Sequence, residues 1–354
     1  MKLFDNNLYR EDLKNIVQYI NPKKNINILV TGASGLIGSQ IIDTLLYYNQ
    51  INMKQTFQIY AMARNKERLC ERFEGMSIYT ELHLLVGDIC NPLPDDLQFD
   101  IIIHAASNAD PGTYSQYPVE TIKTNVMGTI QVLEYAKKHL NTRVLFTSTM
   151  EVYGEIPDKD VFEEQDFGII NTNLIRSGYP ESKRTSELLC RSYAYEFGVD
   201  SVITRLGYIY GPTMTKTDNK VVAQFIRNAL KKEKIILKSK GEQKRSYCYS
   251  ADAVGGIFCA LFSGLSNEVY NIANKHSVIT IVGLAQTLAN IANTEVVYSF
   301  PPDSTGNINQ TNPHNAVLAT KKLEELGWKP IYNLPCGLKQ TLDIIENTAK
   351  ATKK

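Results

Sequence analysis

Ile26–Ile41, INILVTGASGLIGSQI, decides how the rest of the sequence is read. Ile26, Ile28, Leu29 and Val30 form a short apolar run with the character of a buried strand. Thr31-Gly32-Ala33-Ser34-Gly35 interrupts it. From Gly38 onward, Ser39-Gln40-Ile41-Ile42-Asp43-Thr44-Leu45-Leu46 places apolar residues at helical spacing. The glycines therefore stand where a strand turns into a helix, the setting that a dinucleotide-binding fingerprint requires. Gly32 permits the tight turn, Gly35 lets backbone approach a pyrophosphate, and Gly38 lets the helix pack close on the strand. Ser34, Leu36 and Ile37 complete the phosphate turn, where the first helical N–H groups and the positive end of the helix dipole face the anion. A plain glycine-rich turn is the alternative, and the flanking strand and helix weigh against it.

The chain has 354 residues, 43% of them hydrophobic, enough for one large domain or two intimate ones. A net charge of +1 gives no reason to expect nucleic acid or a membrane surface as partner. Cys70, Cys90, Cys190, Cys248, Cys259 and Cys336 are scattered, without metal-ligand spacing. They read as free thiols of a reducing cytoplasm, and no metal is expected. No stretch approaches the roughly 20 apolar residues of a membrane span. Residues 1–25 carry no signal-peptide core and read as a helical extension, with Leu13, Ile16, Val17 and Ile20 on one face and a stop near Pro22.

Phe57–Ala63 is a second strand. A ribose with a free 2′-hydroxyl usually meets an Asp or Glu at its end. Between Asp43 and Glu67 there is no acid, and Arg64 stands just beyond the strand. A guanidinium there suits a 2′-phosphate, so NADP+ is considered beside NAD+; an ordinary loop cation is the alternative. His83–Val86 is a third strand ending in Gly87-Asp88-Ile89, where Asp88 either accepts from adenine or closes a turn. Phe99–Ile103 is a fourth, followed by His104-Ala105-Ala106-Ser107, whose small residues suit a ribose lying against backbone. His104 reads as a packed imidazole under the cofactor rather than a base. Thr121–His139 is a long helix with Ile122, Val126, Ile130 and Leu133 on its buried side. Val144–Ser148 and Ser201–Arg205 are the fifth and sixth strands. Strands and helices alternate as in a doubly wound parallel sheet of the α/β class. Beyond Gly211-Pro212 the rhythm loosens. The expected division is a helical extension over 1–25, a dinucleotide-binding domain over 26–205, and a smaller substrate domain over 206–354, with some interleaving.

The fifth strand ends in Ser148-Thr149-Met150-Glu151-Val152-Tyr153-Gly154, at the sheet edge where ligands bind. Later, Ser177-Gly178-Tyr179-Pro180-Glu181-Ser182-Lys183 opens a helix. Tyr179 and Lys183 are four apart and share a face. An ammonium there favours the phenolate of Tyr179, which can take a proton from a substrate hydroxyl as hydride leaves the same carbon. Ser148 or Thr149 can hold the substrate oxygen, and Glu151 can act at a neighbouring carbon.

TGASGLIG, the HAAS strand end, STMEVYG, YPESK, RLGYIYGP and the late KLEELGWKP resemble the extended short-chain dehydrogenase/reductase family. More narrowly, the sequence is similar to its nucleotide-sugar epimerases, dehydratases and decarboxylases, above all the UDP-glucuronate decarboxylases. The resemblance, from about Ile26 to Pro330, implies a Rossmann domain with a small sugar-nucleotide domain. It also implies NAD(P)+, a nucleotide-diphosphate sugar as substrate, a cytoplasmic homodimer and a role in polysaccharide or glycoconjugate synthesis. It makes Tyr179, Lys183 and Thr149 catalytic. It gives Arg245, in Gln243-Lys244-Arg245, to the diphosphate, and puts Tyr208 in the sugar pocket. Arg205 and Asn271 read as structural, and Asp252 as a helix cap.

Three positions depart from the decarboxylase pattern. Met150 stands where those enzymes have Ser and many dehydratases have Asp, and a thioether cannot protonate a leaving hydroxyl. Thr311-Asn312-Pro313 lacks the Arg that faces the sugar carboxylate. Tyr208 replaces an Asn. The favoured expectation is therefore a nucleotide-sugar 4-epimerase. A decarboxylase, a 4,6-dehydratase, an NADPH-dependent 4-keto-sugar reductase and a non-catalytic NAD(P) sensor stand as alternatives.

Overall fold

The computed structural model describes residues 2–299 and 316–352. Strands β1 (Ile26–Thr31), β2 (Phe57–Ala63), β3 (Leu82–Val86), β4 (Ile101–His104), β5 (Arg143–Thr149), β6 (Ser201–Leu206) and β7 (Val269–Ile272) form one sheet. Its order is β7-β6-β5-β4-β1-β2-β3, and every pairing is parallel. The order reverses between β1 and β4, which opens a crevice at the carboxyl ends of the strands. The first six strands are those patterned in the sequence. The seventh comes from the stretch assigned to the substrate half, so the C-terminal part of the chain completes the main sheet.

Successive strand residues face opposite sides. Ile28, Val30, Ile59, Ile101 and Ile103 enter one core, with Leu13 and Ile16 of helix α1 (Asn7–Val17), Ile41 and Leu45 of helix α2 (Leu36–Asn52), and Ile257 and Phe258 of the helix Ser250–Ser263. Leu29, Ile102, Phe146 and Ile203 enter the other, with Val132 and Leu133 of helix α3 (Pro118–Lys138) and Cys190 of helix α4 (Gly178–Phe197). Both faces are covered, which is why the strands are apolar runs rather than alternating ones. Helix α1 starts where the Asn6 side chain accepts from the N–H groups of Leu8 and Tyr9.

Two expectations change here. The buried face of α3 is Thr121, Thr124, Asn125, Gly128, Thr129, Val132 and Leu133, whereas Ile122 is 41% exposed. Small and hydroxyl-bearing residues let α3 and α4 approach closely. Their polar groups satisfy one another: Asn125 Nδ2 donates to Ser182 Oγ at 2.8 Å, and Ser186 Oγ donates to the Asn125 carbonyl at 3.0 Å. Asp252 lies in the first turn of its helix but does not cap it. It accepts from the backbone N–H groups of Ile331 (2.8 Å) and Tyr332 (3.0 Å), pinning a C-terminal loop.

The smaller unit is built on the strand Lys244–Tyr249, parallel to Tyr208–Tyr210 and antiparallel to Val278–Thr280. It packs over the carboxyl ends of the main sheet and closes the crevice into a cleft. Among the described residues, no helix is long and apolar enough to cross a membrane and no side-chain cluster could hold a metal ion.

Candidate active site

A cleft of about 800 Å³ runs between the two units. At one end it is floored by Gly32, Gly35, Leu36, Ile37 and Gly38, where β1 gives way to α2. The backbone there is too crowded for side chains. A Cβ on Gly32, whose φ is +68°, would come within 2.6 Å of the Ala105 carbonyl oxygen, and one on Gly38 within 2.4 Å of the Gly32 carbonyl oxygen. This bare turn at a helix start fits a pyrophosphate. Ala105 lines the same end, whereas Ser34, Asp88, Ile89, His104 and Ala106 do not border the cleft. Asp88 closes a turn, accepting from the Cys90 N–H at 2.9 Å, and Ile89 is buried. His104 is a packed imidazole: its Nδ1 is 2.9 Å from Thr31 Oγ1, and burial, with Lys183 nearby, pushes its pKa down to about 3. It is neutral and unsuited to act as a base.

Arg64 lines the cleft, but its guanidinium is paired with Glu120 at the start of α3. That hydrogen bond holds the Glu120 carboxyl below its ordinary value. The partner of Arg64 thus comes from another element, which no spacing within β2 could reveal.

At the centre of the cleft stand Thr149, Glu151, Tyr179 and Lys183. Helix α4 presents Tyr179 and Lys183 from its first turns. Lys183 is 2% exposed; its Nζ donates to the Thr147 carbonyl at 2.8 Å and lies 4.6 Å from the centre of the Phe146 ring. Burial pulls its pKa down to about 7, against the opposing pull of Glu187. Tyr179 does not show the expected lowering. Burial raises its pKa, the Glu151 carboxylate raises it further, and a hydrogen bond with Thr149 works the other way.

Ser148 and Thr149 both line the cleft, but the Ser148 hydroxyl is already engaged. It donates to Glu187 Oε1 at 2.5 Å, and Glu187 is clamped in turn by Arg205, with contacts of 2.7 and 3.0 Å. Thr149 is the hydroxyl beside Tyr179. Arg205 and Asn271 are structural as expected, the latter accepting from Tyr153 OH at 2.7 Å.

Glu151 is not a lone carboxylate. Arg176, three residues before Tyr179, lies 3.0 Å from it, and Tyr114 OH lies 3.3 Å from it. The sequence reading missed both residues. The Tyr114 ring stacks on Tyr179 with centroids 4.7 Å apart and planes 6° from parallel. Met150 is 6% exposed and borders the cleft.

At the far end Arg245 is 3% exposed, with its guanidinium over the Tyr208 ring at 5.3 Å; both line the cleft. A largely buried guanidinium opening onto a cleft suits a phosphate. Thr311, Asn312 and Pro313, where the sequence lacks an arginine, lie outside the described residues.

The arrangement is one end for a dinucleotide, one for an anion, and a Tyr–Lys–Thr–Glu group between them. Residues 28–273 match the NAD dependent epimerase/dehydratase family. UDP-glucuronic acid decarboxylase 5 of Arabidopsis thaliana is 34% identical over 316 residues, covering 89% of this chain and 88% of that protein. UDP-glucuronic acid decarboxylase 1 of Xenopus tropicalis is 31% identical over 329 residues, covering 92% and 73%. Among solved structures, a dTDP-glucose 4,6-dehydratase of Streptomyces venezuelae with NAD bound has a TM-score of 0.77 and 26% identity, over 92% of this chain and 98% of that one. A UDP-glucose 4-epimerase of Thermotoga maritima with UDP-glucose has a TM-score of 0.76 and 25% identity, over 92% and 100%.

Proposed function

Because the chain belongs to the NAD dependent epimerase/dehydratase family, we propose that it oxidises C4 of a UDP-sugar and uses the 4-ketone to decarboxylate UDP-glucuronate. The observation that carries this reading is Glu151, fixed as a carboxylate partner of Arg176 beside Tyr179. Inverting C4 needs one proton acceptor and no second acid–base group. A held carboxylate beside that acceptor points to chemistry at the next carbons. Met150 offers no proton for a leaving C6 hydroxyl, which counts against dehydration. The similarity to UDP-glucuronic acid decarboxylases supports the same outcome.

The bare turn of Gly32, Gly35 and Gly38 would hold the dinucleotide, which in its oxidised form would supply a reversible hydride acceptor for C4 and a positive charge that favours the Tyr179 phenolate. Tyr179 takes the C4 hydroxyl proton at its phenol oxygen while Thr149 holds that oxygen. Lys183, with its Nζ donating to the Thr147 carbonyl, stands in the cleft where it can hold the dinucleotide's ribose. The 4-ketone accepts the electron pair of the C5–C6 bond as carbon dioxide leaves. C5 then gains a proton from solvent, from a water hydrogen-bonded to Glu151. Arg245 holds the diphosphate. NAD+ is favoured over NADP+, because Arg64 is engaged by Glu120 and that carboxylate would oppose a 2′-phosphate.

A 4-epimerase is the second reading, because residues 300–315 carry no Lys or Arg to face a sugar carboxylate. Incubating the purified protein with UDP-glucuronate, and separately with UDP-glucose, in deuterated water distinguishes the two. Decarboxylation gives a product lighter by one carbon dioxide and carrying one deuterium at C5. Epimerisation gives an isomer of unchanged mass without deuterium. Unchanged substrate in both arms sinks both readings. Mass analysis of the nucleotide released on denaturation identifies the retained cofactor.

A further inference from the structure

Glu151 is held by residues from two other short elements. Glu151 sits in the 3-10 turn Met150–Tyr153 after β5, Arg176 in the turn Ile175–Ser177 before α4, and Tyr114 in the short helix Pro111–Gln116. Arg176 Nη2 reaches Glu151 Oε2 at 3.0 Å and donates to Tyr114 OH at 3.2 Å, while that hydroxyl donates to Glu151 Oε1 at 3.3 Å. Both carboxylate oxygens therefore have a partner. Tyr114 is 2% exposed and its ring lies flat on that of Tyr179. Burial and the adjoining Glu151 charge both raise its pKa, so it stays a neutral donor.

A nearby guanidinium shows what a purely structural arginine does here. Arg184, one turn along α4, donates to the backbone carbonyls of Val152 (2.6 Å), Tyr153 (3.2 Å) and Gly168 (2.7 Å), stitching the loop. Arg176 instead spends Nη2 on two side chains, one of which borders the cleft and the other of which touches Tyr179.

We propose that Arg176 and Tyr114 are positioning residues that hold Glu151 in one orientation for the steps that follow C4 oxidation. The inference rests on the decarboxylase reading for its chemistry. Turned away from the cleft, an unpinned carboxylate leaves the C5 protonation step without its water. Arg176 holds one Glu151 oxygen and Tyr114 the other, and the Tyr114 ring covers one side of Tyr179. The proton that reaches C5 still comes from water, and neither positioning residue gains or loses one.

The test compares Arg176→Met, Arg176→Lys and Tyr114→Phe with the unaltered protein, using UDP-glucuronate with added NAD+. Reduced-cofactor absorbance reads C4 oxidation, and released carbon dioxide reads completion. Arg176→Met should keep the absorbance rise within several-fold while completion falls by about 100-fold, the scale of a lost acid–base contribution. Arg176→Lys should recover part of the loss, and Tyr114→Phe should be milder with KM unchanged. Equal loss of both signals, or of neither, in Arg176→Met overturns the inference. Crystal structures of the unaltered and Arg176→Met proteins provide a readout independent of substrate. The Glu151 carboxylate should leave its position in the variant; if it stays, Arg176 does not position it. If the unaltered protein gives neither signal with UDP-glucuronate, the decarboxylase reading fails, and the crystallographic comparison still decides whether Arg176 holds Glu151. Should Arg176→Met not fold, Arg176→Lys is carried through the same comparison, and an unmoved Glu151 with unaltered partition between oxidation and completion overturns the inference.

Discussion

Tyr179 and Thr149 carry the first chemical step in the proposed reaction, and Ser148 carries none. Tyr179→Phe removes the proton acceptor while keeping the ring that stacks on Tyr114, so turnover should fall by about 10²–10⁴-fold with cofactor retention unchanged. Thr149→Val should also lose turnover. Ser148→Ala should leave kcat within a few-fold and lower stability by about 1 kcal/mol, the worth of an ordinary hydrogen bond. Steady-state kinetics and thermal melts of the three variants check this, and a Ser148→Ala protein as impaired as Thr149→Val would reverse the assignment. The sequence places two hydroxyls side by side at the end of β5 and offers no means of choosing. Both border the cleft, and what separates them is that Ser148 is engaged by Glu187, which Arg205 clamps; these partners come from α4 and β6. The Tyr179–Lys183 spacing and the glycine turn were legible because each lies within one short continuous stretch of sequence. Arg176, Tyr114 and Glu120 were not, because their meaning comes from partners elsewhere in the chain.

Helix α3 shows how an element can be assigned correctly and oriented wrongly. The apolar spacing of Ile122, Val126 and Ile130 looks like a core stripe. The core instead takes the stripe of Thr121, Asn125, Gly128 and Thr129, which matches Ser182 and Ser186 across the helix pair. Of the displaced apolar residues, Ile122 is exposed and Val126 and Ile130 are half-buried; on the same helix pair Val119 is 65%, Leu188 64% and Tyr195 94% exposed. Leu188, Ser192 and Tyr195 fall at helical i, i+4, i+7 spacing, so the outer face of α4 is a stripe of its own. A second copy of this chain presenting the same helix pair would cover such a face, forming a symmetric four-helix contact. The expected outcome is a dimer by light scattering at micromolar concentration, converted to monomer by Leu188→Glu with Tyr195→Glu. A monomer in the unaltered protein removes this role for the face.

At the scale of the whole molecule, α1 ties both ends of the chain to the smaller unit through a buried carboxyl. Asp12 accepts from Tyr249 OH at 2.5 Å on one oxygen, and from Tyr332 OH at 2.6 Å and Gln340 Nε2 at 3.2 Å on the other. Burial pushes its pKa up to about 6, although these three hydrogen bonds pull it down and Glu11 adds slightly to the rise. Asp252, itself raised to about 7 chiefly by burial, feels the charge of Asp12. The folded Asp12 therefore keeps a proton that the unfolded chain gives up. As pH rises from about 4 to about 6, folding loses stability through this residue, and the loss stays in place above that window. His104, lowered to about 3, acts in the opposite sense, because the unfolded chain binds a proton there that the folded one refuses. The melting curve of the unaltered protein alone thus mixes opposing contributions, whereas a comparison with Asp12→Asn at each pH cancels those of His104. Asparagine keeps an acceptor for Tyr332 and Gln340 and cannot ionise. The two proteins should melt together near pH 4. Asp12→Asn should gain a few degrees by pH 7, the gap opening only between about pH 4 and 6. A gap that is constant across pH, or that narrows as pH rises, would show that Asp12 is already ionised in the folded protein at low pH, and that α1 is held by a charge rather than by a shared proton.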